Sequence, residues 1–351
     1  MRKSVVAAIV IAVLIVSILA LSMFNGPTEP EDVAIVPLDS PELPSRGYYM
    51  GVLPMPGTDQ SFADAYSQVA EHAEFVPVWG KPSPFYEMAS DLSGSWGTTF
   101  VTQYTRGNGM FPLVHFSFIG AGITLTRPPG MDDATLSDAE WRAAYKDAVL
   151  DTVRAVKPLY LSVANEVNRW YEEYGADASD PNGFQHFVSL YEEIYDAVKE
   201  VSNKTVVFCV FAREIVSENR EADLEVLDMF DAGKMDLLAF TSYVHAVQGI
   251  NSPSDVPDDY YSRALAHMPG KRMAFTELGW PSIEFFGGQA GQAEHLADVA
   301  GRLTAGQGVE LHMLAWAWLH DLDAGDETGL IEHDGAEKLA YQTWKALSTG
   351  G

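Results

Sequence analysis

The chain has 351 residues, 47% of them hydrophobic and 11% aromatic, enough for a large core. Length alone does not separate one domain from two, because α/β barrels run to about 250 residues or more as single units. With 49 acidic against 22 basic residues the net charge is -27, which argues against nucleic acid as a partner, since phosphate neutralisation needs Lys and Arg.

The chain opens on Arg2 and Lys3 followed by "VVAAIVIAVLIVSILALSMF", the pattern of a secretory signal or a membrane anchor. The run approaches the roughly 20 residues of a spanning helix, while Ala20 and Ser22 also form a small-x-small cleavage site. Residues 1–24 therefore read as a retained anchor or a cleaved signal. Either fate implies export, so the expected location is extracellular or at the cell surface, secreted or membrane-anchored, with membrane contact through this segment if it stays uncleaved. Residues 25–46, "NGPTEPEDVAIVPLDSPELPSR", are rich in Pro and acids and read as a linker. The folded domain is expected over 47–348.

Eight short apolar runs follow: "GYYMGVLPMP" (47–56), "EFVPVWG" (74–80), "MFPLVHFSF" (110–118), "PLYLSVANEV" (158–167), "TVVFCVFAR" (205–213), "MDLLAFTSYV" (235–244), "RMAFTELGW" (272–280) and "VELHMLAWAW" (309–318). Helices are expected between them, among them "SDAEWRAAYKDAVLDTVRAV" with Ser137 as N-cap and Glu140 three residues on, and "GFQHFVSLYEEIYDAVKEV". "GAEKLAYQTWKAL" reads as a closing helix. Eight continuous apolar strands alternating with helices imply parallel strands buried on both faces, and so a single (β/α)8 TIM barrel. An open doubly wound sheet is the alternative, but "PMPGTDQ" after the first strand is no glycine-rich phosphate turn. Cys209, the single cysteine, sits in "VVFCVF" and reads as a buried small hydrophobe; an exported domain here would fold without a disulfide.

A barrel of this kind places its site at the carboxyl ends of the strands. There stand Trp79 and Lys81 on the second, His115 on the third, Asn165 and Glu166 on the fourth, and Arg213 and Glu214 on the fifth. Tyr243 and His245 end the sixth, Glu277 and Trp280 the seventh, and Trp318, His320 and Asp321 the eighth. Glu166 and Glu277 thus project over one mouth as a carboxylate pair. Glycosidic cleavage needs one carboxyl group protonated to donate to the leaving oxygen and a second ionised to attack the anomeric carbon.

"ANE" ending the fourth strand and "TELGW" on the seventh resemble the retaining glycoside hydrolases of clan A, and the similarity runs through roughly 47–348. The ending "TGLIEHDGAEKLAYQTW" also resembles the last stretch common in these enzymes. The resemblance implies Glu166 as acid/base and Glu277 as nucleophile. It further implies Asn165 on the sugar 2-hydroxyl, Tyr243 holding the nucleophile's carboxylate ionised, Trp318 under the sugar and Trp79 at a further subsite. The chain departs from the pattern at two places: the second strand ends "VWGKPS", with Lys81 where many members carry arginine, and Thr241 replaces a frequent histidine. His115, Arg213 and His245 become candidates for the missing polar contacts, with a core role open for His115.

The expected activity is that of a retaining β-glycosidase hydrolysing O-glycosidic bonds of an oligo- or polysaccharide, with a carbohydrate partner and no cofactor. A non-catalytic carbohydrate-binding or cell-surface protein on the same barrel is the alternative, and a metal-dependent barrel hydrolase a third reading. No HExxH or Cys/His cluster supports zinc, and "DLDAGDETG" (321–329) reads as a solvated acidic loop rather than a calcium loop. "NKT" at Asn203 fits a glycosylation acceptor. Segments 81–109 and 119–138 are the long loops expected to shape the substrate groove.

Overall fold

Each of the eight apolar runs becomes one strand of a parallel barrel: β1 Tyr49–Leu53, β2 Phe75–Val78, β3 Phe111–His115, β4 Tyr160–Ser162, β5 from Val206 to Ala212, β6 Leu238–Ser242, β7 Met273–Leu278 and β8 Leu311–Trp318. The computed structural model describes residues 34–79, 84–304, 308–323 and 325–350. Strand β5 is broken at Cys209, whose N–H turns to Met235 Sδ at 3.5 Å. Its first half, Val206–Phe208, pairs with β4 and its second, Val210–Ala212, pairs with β6, so the ring closes through one strand. Nearly every strand residue is buried, as strands covered on both faces require. Inside the ring Tyr49 packs edge-on against Phe111 at 5.1 Å and His312 at 5.5 Å, joining β1, β3 and β8 in one aromatic layer. Gly51 of β1 leaves space for the Phe75 ring, which a Cβ would approach to 2.4 Å.

Among the described residues the α-helices of six residues or more are α1 Phe62–Ala70, α2 Met88–Ser93, α3 Ala139–Val156, α4 Asn168–Tyr174, α5 Phe184–Val201, α6 Gly288–Thr304 and α7 Leu339–Ser348. Helix α3 buries Trp141, Tyr145, Val149, Thr152, Val153 and Val156, the three- and four-residue spacing of one face. It starts at Ala139 with Asp138 in the cap position, one residue after the expected Ser137. Asp138 instead accepts from Thr135 N at 2.6 Å and shapes the preceding turn. The crossovers after β5 and β6 carry short 3-10 turns, Leu224–Met229 and Ser262–Ala266, in place of α-helices. The second of these crossovers contains Gly249, Pro253, Pro257, Pro269 and Gly270, which interrupt helical hydrogen bonding.

Residues 34–46, read from composition as the later part of a linker, are tied to the body. Ile35 N donates to Val201 O at 2.7 Å, Leu38 N to Lys157 O at 3.0 Å, and Asp39 pairs with Arg106 at 2.7 Å. The apolar segment 1–24, the linker's first part and Lys81 lie outside the described residues. No described helix is long and apolar enough to cross a membrane. Asn203 is exposed, and Cys209 is fully buried as expected.

The stretch 321–329 is in part the expected solvated loop, with Leu322, Asp323, Gly325 and Glu327 exposed, but two of its acids are tied down. Asp321 is buried, accepting from Lys338 Nζ and from Gly329 N, each at 2.7 Å. Asp326 accepts from Leu322 N at 2.9 Å and from Thr328 N at 3.1 Å. Backbone and lysine donors therefore fold this segment onto the barrel, and it closes over β8.

Candidate active site

The Asn165–Glu166 pair is pushed into the mouth by a local kink. Val210 of β5 bonds both sides of it, donating to Ala164 O at 2.9 Å and accepting from Val167 N at 3.0 Å. The two residues between are looped out, with Glu166 in the left-handed region at a φ of 47°. That conformation costs a non-glycine residue on the order of 1–3 kcal/mol and persists where the surroundings impose it. The next anchor is Asn168, whose buried amide accepts from Ala212 N at 2.7 Å and donates to Ala212 O at 2.9 Å. It continues the β5 ladder through a side chain. Nothing in the sequence except a second Asn three residues on hinted at this role.

Both candidate carboxylates are held from β6. Glu166 Oε1 accepts from Thr241 Oγ1 at 2.9 Å, and Oε2 accepts from Arg169 at 2.8 Å. Thr241 therefore supplies a donor where the histidine was missed. Glu277 lies opposite Thr241 in the β6–β7 register, and its Oε2 accepts from Tyr243 OH at 3.0 Å. Burial, then the negative charge of Glu166, push the Glu277 carboxyl up to about 7, opposed by the Tyr243 hydrogen bond. Burial first, and the Glu277 charge after it, hold the Tyr243 phenol well above its ordinary value, so it stays a donor. The glycine of "TELGW" has a steric reason: a Cβ on Gly279 would meet Tyr243 Cε1 at 2.5 Å.

The remaining expected residues divide. Asn165 has a buried Oδ1 with no protein donor. Trp318 is partly exposed, and its Nε1 donates to Asp326 Oδ2 at 2.7 Å, which fixes the indole plane. Trp79 stacks on His115 with ring centres 4.7 Å apart and planes 12° from parallel. His115 is fully buried with neither ring nitrogen bonded, and burial pushes it down to about 3, so it is a neutral support beneath Trp79.

Arg213 is engaged with other partners than the carboxylate pair. It is buried, donates to Glu221 at 2.7 Å and to Tyr260 O at 2.9 Å, and lies over the Tyr260 ring. His245 points its Nδ1 to Gly279 O at 3.3 Å and packs edge-on to Phe286 and Trp280; burial lowers it to about 4. His320 bonds Met55 O at 2.9 Å, a closure between β8 and the loop after β1. Among the described residues no group of three or more His, Cys, Asp and Glu side chains is placed to hold a metal ion.

No protein-family model matches the chain, and no curated protein does. Solved structures match its barrel. A GH5_18 protein from Streptomyces cattleya, in complex with GlcNAc, is 16% identical with a TM-score of 0.60, over 91% of this chain and 80% of that one. An exo-beta-1,4-mannosidase from Opitutaceae bacterium strain TAV5 is 14% identical with a TM-score of 0.61, over 88% of this chain and 62% of that one. Xylanase 10B from Thermotoga maritima is 14% identical with a TM-score of 0.57, over 87% of this chain and 96% of that one. The fold is the TIM barrel found in the clan A glycoside hydrolases.

Proposed function

We propose that the chain is a retaining β-glycosidase that cleaves O-glycosidic bonds of an oligo- or polysaccharide by double displacement. Glu277 attacks the anomeric carbon, and Glu166 protonates the leaving oxygen, then takes a proton from the water that releases the sugar. The observation that carries this reading is the carboxylate pair at the ends of β4 and β7, each held by a hydroxyl at the end of β6 or just after it, Thr241 for Glu166 and Tyr243 for Glu277. The half-exposed Arg169 arm must leave Glu166 when the leaving oxygen takes its place. Asn165 Oδ1 accepts the sugar 2-hydroxyl, a bond that strengthens as positive charge grows on the ring. Trp318 and Trp79 offer flat faces to sugar rings. The N-terminal run is taken as the export signal or anchor of an enzyme working outside the cytoplasm.

The test is a panel of 2-fluoro glycosides and of β-glucans, mannans, galactans and xylans. β-Mannosides come first, because one neighbour is a mannosidase and another holds Manb1-4GlcNAc. Trapped label should map to peptide 272–280; label elsewhere would overturn the assignment. A second reading, a carbohydrate binder without turnover, draws on one observation: among the described residues no Lys or Arg hydrogen-bonds Glu277. Glu277→Gln separates the two, abolishing turnover in an enzyme and leaving sugar affinity intact in a binder.

A further inference from the structure

A second buried carboxylate, Glu214, stands behind the pair. It directly follows Arg213, whose N donates to Thr241 O at 2.9 Å and so carries β5 past its regular end. Glu214 is only 4% exposed. Its Oε1 accepts from Ser242 Oγ at 2.8 Å and Tyr260 OH at 2.7 Å, and its Oε2 accepts from Tyr243 N at 2.7 Å. One carboxylate therefore grips β6 at two successive residues, the second of which donates to Glu277.

The carboxylate is itself fixed. Glu214–Ile215 pairs antiparallel with Arg220–Glu221, and Ala222 N donates to Arg213 O at 3.0 Å. The charged groups around it are Arg213, buried beside it, and Glu221, which the Arg213 guanidinium bonds; the phenols of Tyr260 and Tyr261 face it from the next crossover. Burying a carboxylate is costly, and ending a strand does not require one. The neutral amide of Asn168 does that at Ala212 in the same barrel. Burial pushes the Glu214 carboxyl up to about 7 against the pull of its donors, and in its ionised form it gives Tyr243 N–H a stronger bond than an amide would.

We propose that Glu214 is a positioning residue that fixes Tyr243, and through its phenol the Glu277 carboxylate; the inference rests on the glycosidase reading for its kinetic consequences. A Gln at this position gives Tyr243 N–H a neutral oxygen in place of a charged one, and its NH2 forces the Ser242 and Tyr260 hydroxyls to switch from donating to accepting, so the grip on Tyr243 is weakened.

The test combines Glu214→Gln, Tyr243→Phe and the double variant. On the best glycan of the panel Glu214→Gln should lower kcat about tenfold with KM within about twofold, and the double variant should match Tyr243→Phe alone within about twofold. In the free protein the Glu277 carboxyl, followed by carbon NMR and assigned with Glu277→Gln, should titrate about 0.5–1 pH unit higher in Glu214→Gln, because the phenol's bond favours the ionised form. Multiplying effects in the double variant, or an unmoved Glu277 titration, would overturn the proposal. If Glu214→Gln does not fold, Tyr260→Phe, which removes one tether of Glu214, must move the Glu277 titration in the same direction, and no movement refutes it. A chain that hydrolyses no glycan defeats the glycosidase reading alone, since the titration still decides the positioning role.

Discussion

Gly279→Ala is the sharpest single test of how the site is held. Its Cβ would lie 2.5 Å from Tyr243 Cε1, 2.7 Å from Cδ1 and 3.0 Å from Thr328 Cγ2. Ordinary contact begins near 3.4 Å, so about 0.9 Å has to be found. The glycine itself has little freedom to move, because Gly279 N donates to Ser242 O at 3.1 Å. The Tyr243 ring is the softer partner. Withdrawn by that amount, its hydroxyl stands about 3.9 Å from Glu277 Oε2 in place of 3.0 Å, which is no longer a hydrogen bond. A bond to a charged group contributes about 1.5–3 kcal/mol, so kcat should fall roughly 10- to 100-fold. The acidic limb of the pH profile should move upward, since Glu277 loses the donor that favours its ionised form. The assay is a pH series of kcat and KM on an aryl glycoside, with thermal melting to confirm the fold. A folded Gly279→Ala with unchanged kcat and pH profile would refute the claim that Tyr243 supports Glu277.

Other consequences concern stability and sugar affinity. Glu277 titrates near 7 in the folded chain against an ordinary 4.5, so the folded form holds the extra proton in that window and stability is lost as pH rises through it. Glu277→Gln removes this loss: urea unfolding should show it more stable than the parent by about 3 kcal/mol at pH 8 and equal to it at pH 4. Lys338→Met strands the buried Asp321 carboxylate, its partner at 2.7 Å, and should destabilise by about 3–5 kcal/mol in the same assay at pH 8. Asp326→Asn weakens the acceptor for Trp318 Nε1 and should raise KM severalfold while kcat on an activated glycoside holds; an unchanged KM would mean that Trp318 is held by packing alone.

The strands were legible because parallel strands buried on both faces need unbroken apolar runs, and all eight runs carry that mark. The approach of Glu166, Tyr243 and Glu277 to one another followed from strand order, since barrel strand ends converge on one mouth. What lay beyond the strand ends was less legible, because alternation stops there and a side chain can turn inward or outward. Arg213 read as a candidate for the mouth, yet it turns to Glu221 and Tyr260 behind β5. Glu214 stood in the same strand end without an assigned role, although a glutamate flanked by "FAR" and "IV" was a sign of a buried charge. Thr241 read only as a lost histidine, because a hydroxyl's partner is set by the neighbouring strand. Of the acids of 321–329, Asp323 and Glu327 are exposed as read, whereas Asp321 and Asp326 find partners in other segments, Lys338 and the indole of Trp318.

The departures from the clan pattern bear on one another. Among the described residues these cations serve other carboxylates: Arg169 bonds Glu166, Arg213 bonds Glu221 and Lys338 bonds Asp321. Tyr243 is left as the hydrogen-bond donor to Glu277, and burial with the Glu166 charge outweighs it. Among the described residues Tyr243 gives the Glu277 carboxylate its one hydrogen bond, and burial with the Glu166 charge holds it up at about 7. The positive charge that develops on the sugar ring during cleavage would be its cationic partner. Stabilisation present in the transition state and missing in the ground state accelerates the chemical step, whereas a resident arginine beside Glu277 would support the carboxylate in both. Under the glycosidase reading, a Glu277 that no cation supports among the described residues is therefore a source of rate, provided that Glu214, Gly279 and Tyr243 keep the phenol's hydrogen bond in place.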